Sequence, residues 1–253
     1  MEGDIEMNQK ILEVCVDSVE SALAAERGGA DRLELCQNLV IGGTTPSPKL
    51  FETIRRYSKI PIHVLLRPRF GDFCYTQYEF EMLREEVTMY RKLGAEGVVI
   101  GMLLPEGTLD IRRMEKLMEA AEGMSVTLHR AFDVCKDPKA ALEQATELGI
   151  QTILTSGQQN SALKGAPLLK ELKEQAAGRI QIQAGGGICA EVIEKLYPLC
   201  GVTAYHMSGK KELDSKMEYR KEGVNMGLSS LSEYTIYRTS EAAVRAARNV
   251  LDR

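Results

Sequence analysis

Leu12-Glu13-Val14-Cys15 and Leu33-Glu34-Leu35-Cys36 spell one pattern twice, and the residues between them set how the chain folds. Each copy alternates apolar and polar positions, the period of a strand, so Glu13 and Cys15 share one face and Glu34 and Cys36 the equivalent face of the next strand. Between the copies, Asp17 with Glu20 three residues later makes a helix-start pattern, and Gly28-Gly29 supplies the stop. The chain therefore reads strand, helix, strand, with turns so short that the two strands run parallel.

The same unit repeats outward from this stretch. Apolar runs predict strands over 11–16, 32–36, 62–66, 97–100, 126–129, 152–155, 180–183 and 202–206. Periodic stretches predict further helices over 47–57, 76–93, 109–121, 138–148, 162–175, 190–196 and 240–251. An internal echo supports the repeat: Gly29-Ala30-Asp31-Arg32-Leu33, Gly94-Ala95-Glu96-Gly97-Val98 and Gly149-Ile150-Gln151-Thr152-Ile153 each end a helix on glycine and enter a strand. Eight such strands predict an α/β fold, a closed (β/α)8 TIM-type barrel spanning 1–253 as one domain. The alternative is an open doubly wound sheet, but no G-x-G-x-x-G follows the first strand, and Gly185-Gly186-Gly187 does not match it. The first ten residues are polar and expected to fray. The 209–239 segment reads as a long loop after the last strand, a candidate lid over the barrel mouth.

Composition narrows the function. A formal net charge of −4 and a pI near 5.6 give no basic face, so no nucleic-acid partner is expected. Nothing approaches the roughly 18 apolar residues of a membrane span, and the start lacks a signal-peptide layout, so no membrane association and a cytoplasmic location are expected. There the six cysteines stay reduced, and Cys15, Cys36, Cys74, Cys135 and Cys189 fall at or just after strand ends.

Barrel chemistry collects at the carboxyl ends of the strands, and here those ends are heavily charged. They carry Glu13, Cys15 and Asp17, then Glu34 and Cys36, then Arg67 and Arg69. The later strands add His129-Arg130-Ala131-Phe132-Asp133, Thr155-Ser156-Gly157, Ala184-Gly185-Gly186-Gly187 and His206-Met207-Ser208-Gly209. One reading makes Glu13, Glu34, Arg67, His129 and Asp133 catalytic, with an acid or base among them; the other makes the charges a satisfied ion-pair network filling the upper barrel. Arg69, Ser156, Gly185, Gly186, Gly187, His206 and Ser208 stand where such barrels bind anions through backbone N–H groups, although the glycines equally suit tight turns. His63, early in its strand, reads as structural. H-E-x-x-H, C-x-x-C and G-x-S-x-G are absent. If the first two strands are neighbours, Cys15 and Cys36 come close enough to hold one soft ion such as Cu(I) between two sulfurs.

These motifs together resemble the copper homeostasis protein CutC family. The resemblance rests on Glu13-Val14-Cys15-Val16-Asp17-Ser18, Gly28-Gly29-Ala30-Asp31-Arg32 with Glu34-Leu35-Cys36, Gly42-Gly43-Thr44-Thr45-Pro46-Ser47, Arg67-Pro68-Arg69 with Gly71-Asp72-Phe73, His129 to Asp133, Thr155 to Gly157 and the triple glycine. It implies a TIM-type barrel in the cytoplasm, a homo-oligomer (dimer or tetramer) and copper handling, with Cys15 and Cys36 as copper-binding thiols. The rim is richer than a Cu(I) site needs, so the competing expectation is a barrel enzyme acting on a small anionic molecule, one that carries phosphate among the candidates.

Overall fold

The predicted alternation closes on itself: in the computed structural model, eight parallel strands form a single barrel in sequence order. The structure describes residues 10–224, 226–228 and 230–253; the expectation of a frayed start at residues 1–9 lies outside them. Strand β1 (Ile11–Val16) leads through α1 (Val19–Arg27) to β2 (Arg32–Leu35), and α2 (Pro48–Tyr57) leads to β3 (Ile62–Leu65). Next come α3 (Gln77–Lys92), β4 (Gly97–Ile100), α4 (Ile111–Ala120), β5 (Ser125–Leu128), α5 (Pro138–Glu147) and β6 (Thr152–Thr155). The last turns are α6 (Ala166–Ala176), β7 (Gln181–Gly185), α7 (Ala190–Cys200) and β8 (Ala204–Met207). Closure is the β1–β8 ladder, which sets Glu13 beside His206.

The strands are buried on both sides, as parallel barrel strands must be. Outward residues such as Leu12, Val14, Leu33 and Leu35 are wholly buried under the helices in one continuous apolar cluster, each contributing about 1.5–3 kcal/mol by leaving water. Inward positions are polar instead, because the carboxylate of Glu13 on β1 meets side chains from β2, β7 and β8.

Helix starts follow local capping chemistry. Thr76 and Glu79 exchange the two hydrogen bonds of a capping box, and Ser47 caps α2 just before Pro48. At α1 the cap is Ser18, whose hydroxyl accepts from Ser21 N, so the Asp17 pattern is one residue early. Helix α7 runs on through Pro198 to Cys200, past the expected end at 196, although the proline cannot donate to the ladder.

The 209–239 segment departs from the long-loop expectation. It holds an antiparallel pair, β9 (Lys210–Asp214) with β10 (Thr235–Thr239), before α8 (Glu241–Leu251). Strand β9 is exposed throughout, and β10 is tied to the outside of the barrel by Thr239 N donating to Ser21 Oγ at 3.1 Å.

A charged floor and an open cavity at the barrel mouth

Four strands supply the floor. Arg32 Nε donates to Glu13 Oε2 at 2.5 Å, Gln183 Nε2 donates to Oε1 at 3.1 Å, and His206 Nδ1 lies 2.7 Å from the same oxygen. Arg32 also donates to Gln183 Oε1 at 3.3 Å, closing the ring. Burial alone would raise the Glu13 carboxyl, yet Arg32 and His206 hold it well below the ordinary carboxylate range. His206 loses hydration too, but the neighbouring Cys15, Glu34 and Glu13 push its pKa well above that of a free imidazole. The floor is therefore an ionised, satisfied network.

The next layer up is not satisfied. Glu34 stands on β2 opposite Cys15 on β1, with one oxygen 4.0 Å from His206 Nε2 and the other buried without a hydrogen-bond partner. Burial, helped by the Glu13 charge and opposed by His206, pushes the Glu34 carboxyl up to about 7. Just after β3, Arg67 spends its terminal nitrogens on Gly43 O at 3.2 Å, Gly42 O at 3.4 Å and Gly71 O at 2.9 Å, clamping two loops. Its Nε–H is left buried and unpartnered.

His129 follows β5. Its Nδ1 accepts from Ala131 N at 3.2 Å, which places the proton of a neutral ring on Nε2, and Nε2 is buried without a partner. Burial and the Arg67 charge hold its pKa down at about 3, so the ring stays neutral. The Phe73 ring touches both groups, 4.8 Å from the His129 ring and 5.1 Å from the Arg67 guanidinium.

Asp133 anchors the loop after β6. Its oxygens accept from Ser156 N at 3.0 Å, Ser156 Oγ at 3.0 Å, Gln158 N at 3.2 Å and Arg130 Nε at 2.6 Å, and also from Thr155 Oγ1. After β7, Gly186 and Gly187 turn with φ of 96° and 77°. The positive φ at Gly186 favours glycine, and a Cβ there would also sit tightly, 3.2 Å from Ser156 Cβ.

Together these elements enclose a cavity of about 500 Å³, the size of a small-molecule site. Of the sequence-selected residues, Cys15, Glu34, Arg67, His129, Asp133, Gly186, Gly187, His206 and Ser208 line it. Glu13 lies beneath, and Cys36, Arg69, Ser156 and Gly185 are not in its wall. Arg69 is occupied outside, by Glu79 at 2.6 Å and Asp72 at 2.9 Å. None of the described residues of 210–239 reaches the lining, so the hairpin is no lid in this conformation. Sequence reasoning left out Arg32, Gln183 and Phe73. Arg32 carried a readable signal, since it precedes Glu34 and Cys36 at the same period of two.

The thiols are staggered. Cys15 pairs with Glu34, so Cys36 stands two residues higher on β2 than a partner at matched height would. Cys36 packs with Leu65 and Val99 and donates to Val16 O at 3.5 Å, while Cys15 donates to Met207 O at 3.6 Å. Burial, then proximity to Cys15, pushes the Cys36 thiol up. Both thiols are unoxidised soft donors, so the pair suits Cu(I) in chemistry, with Cys15 the one reaching the cavity. Among the described residues, donor atoms of Glu13, Glu34 and His206 also lie within 4.8 Å of one another. Arg32 and protonated His206 already balance the Glu13 charge there.

The fold and cavity define a (β/α)8 barrel protein with a charged, ligand-sized site at the carboxyl ends of its strands. Sequence comparison gives the family: the CutC family profile matches residues 10–211, and the chain belongs to that family. A human relative named copper homeostasis protein cutC homolog is 44% identical over 249 residues, covering 96% of this chain and 91% of its own. A CutC from Pasteurella multocida is 43% identical over 242 residues, covering 96% and 99%. The crystal structure of a CutC from Streptococcus agalactiae superposes with a TM-score of 0.75 at 30% identity, covering 79% of this chain and 99% of that one. A thiamine phosphate pyrophosphorylase from Pyrococcus furiosus, at 16% identity and a TM-score of 0.59, shares the fold alone, over 97% of this chain and 96% of its own. Among the described residues, no helix is long and apolar enough to cross a membrane.

Proposed function

We propose that the barrel mouth is the active site of an enzyme that binds a small anionic molecule and moves a proton on it. The observation that carries this is Glu34, a residue of the cavity wall whose buried carboxyl has one oxygen without a partner and the other 4.0 Å from His206 Nε2. A carboxyl near 7 accepts and returns protons at neutral pH, whereas an ordinary surface carboxylate does so poorly. Glu13 serves as a positioning residue for His206, Asp133 ties the Arg130 side of the wall to Ser156 behind it, and Arg67 with the Gly186-Gly187 turn supplies the cationic and N–H lining. Thermal shift against a panel of sugar phosphates and small carboxylic acids tests the reading, because a ligand of the native state raises the melting temperature. We expect a hit that Glu34→Gln still binds. Absence of any shift across the panel refutes the site.

A second reading is Cu(I) binding through Cys15 and Cys36, favoured by two reduced thiols at the ends of neighbouring strands that feel each other electrostatically and by the names of the relatives. Anaerobic Cu(I) titration against a competing chelator should show a site that the Cys15→Ser, Cys36→Ser double variant lacks. Equal affinity in both proteins eliminates it. In either reading the protein works in the cytoplasm as a homo-oligomer, which light scattering of the purified chain checks.

A further inference from the structure

Two of the residues that line the cavity carry a buried N–H group with nothing to donate to, Arg67 at Nε and His129 at Nε2. Leaving such groups unpaired forfeits their solvation without return, and the surrounding structure fixes both so that neither escapes the cost. Arg67 is held by the carbonyls of Gly42, Gly43 and Gly71. His129 is held by Ala131 N on its Nδ1, which also fixes its tautomer. The Phe73 ring spans the pair, 5.1 Å from one and 4.8 Å from the other. Preorganised donors of this kind match an oxygen that gains negative charge during a reaction. A neutral imidazole donor beside a fixed cation suits such an oxygen, because it polarises without surrendering its own proton.

We infer that Arg67 Nε–H and His129 Nε2–H form an oxyanion pocket, and that the substrate is a small anion carrying a carbonyl group whose adjacent carbon is deprotonated. This rests on the proton-transfer reading of the cavity. In the step, the base takes the proton from the carbon next to the carbonyl. The C–H electron pair becomes the new carbon–carbon π bond, and the carbonyl π pair moves onto oxygen between the two donors. Returning the proton to that same carbon, from either face, restores the carbonyl and completes an exchange or epimerisation with no net oxidation and no further reactant.

Oxalate, which presents the charge and planar oxygens of a 2-oxo-acid enolate, is the probe. The wild-type chain labelled with nitrogen-15 at histidine is titrated with oxalate while the His129 Nε2–H resonance is followed, so no variant has to fold for the first result. The resonance should move to a position typical of a strong hydrogen bond. Oxalate affinity should fall about 10-fold or more in His129→Phe and recover in part in His129→Gln, which keeps a side-chain N–H. Oxalate binding with an unmoved resonance and unchanged affinity in folded His129→Phe overturns the oxyanion pocket and leaves the anion site standing. If oxalate does not bind while another anion of the panel does, the carbonyl substrate class is wrong. If the wild type binds no anion at all, both readings fall.

Discussion

Two adjacent layers of the barrel interior contain the same kinds of residue and treat them in opposite ways. In the floor, Glu13, Arg32, Gln183 and His206 meet one another's hydrogen-bonding needs. One step toward the mouth, Glu34 Oε2, Arg67 Nε and His129 Nε2 are as deeply buried and have no partners. Sequence composition would make both layers charged core. The difference lies in whether the protein itself completes the hydrogen bonds, and a layer it leaves incomplete is the one built to receive something else.

The strongest way to break the contrast is to make the floor resemble the layer above it. Arg32→Met leaves the ionised Glu13 buried with one cation fewer, and removing one member of a buried ion pair costs roughly 3–5 kcal/mol. Urea unfolding at pH 7 should show that loss. A cost under about 1 kcal/mol would mean that the floor relaxes or admits water, and the distinction between the layers would fail.

Acid should act next, and on groups that stay neutral in the fold. Burial holds His63 at about 4 and, with Arg67, His129 at about 3, against about 6.5 in the unfolded chain. Between those values the unfolded state binds more protons than the native one, so stability falls as pH falls. The contribution is intact above about pH 6.5 and drains away toward pH 4 for His63 and pH 3 for His129, with His63 alone accounting for about 3 kcal/mol. Urea midpoints from pH 7 to 4 should fall, and His63→Asn should flatten that fall. A variant with the slope of the wild type would show that His63 is hydrated.

Much of this architecture was legible because strand and helix periods, glycine stops and caps agreed with one another along the chain. The boundaries that slipped did so where two signals competed, as at Asp17 against Ser18 and at Pro198 against the end of α7. The β9–β10 pair escaped notice because Lys210 to Asp214 is exposed on both faces and so shows no alternation. In the site, residue types and strand ends were readable but pairing was not. His206 meets Glu13 across 193 residues only because the barrel closes. The stagger that sets Cys15 against Glu34 rather than Cys36 is a property of barrel shear, which no local pattern encodes.

The smallest effect belongs to Glu34→Gln, and its smallness is the point. Glu34 has one oxygen without a partner and the other at 4.0 Å from His206, so an amide of the same shape gives up little. Below about pH 4.3, where the carboxyl is protonated in both states, the change in stability should stay within about 1 kcal/mol, far below the cost of Arg32→Met. The pH dependence supplies the sign. The folded value of about 7 lies above the unfolded carboxylate value of about 4.3, so the native state holds the extra proton between them. That contribution is full below about pH 4.3 and is lost as pH rises through 7, when an uncompensated charge forms in the cavity wall. Glu34→Gln forms no such charge, so its stability relative to the wild type should rise between about pH 4.5 and 7 and level off above. Parallel urea titrations of the two proteins at those values decide it. A variant that loses ground to the wild type as the pH rises would place Glu34 in the floor's satisfied network and move the working carboxyl elsewhere.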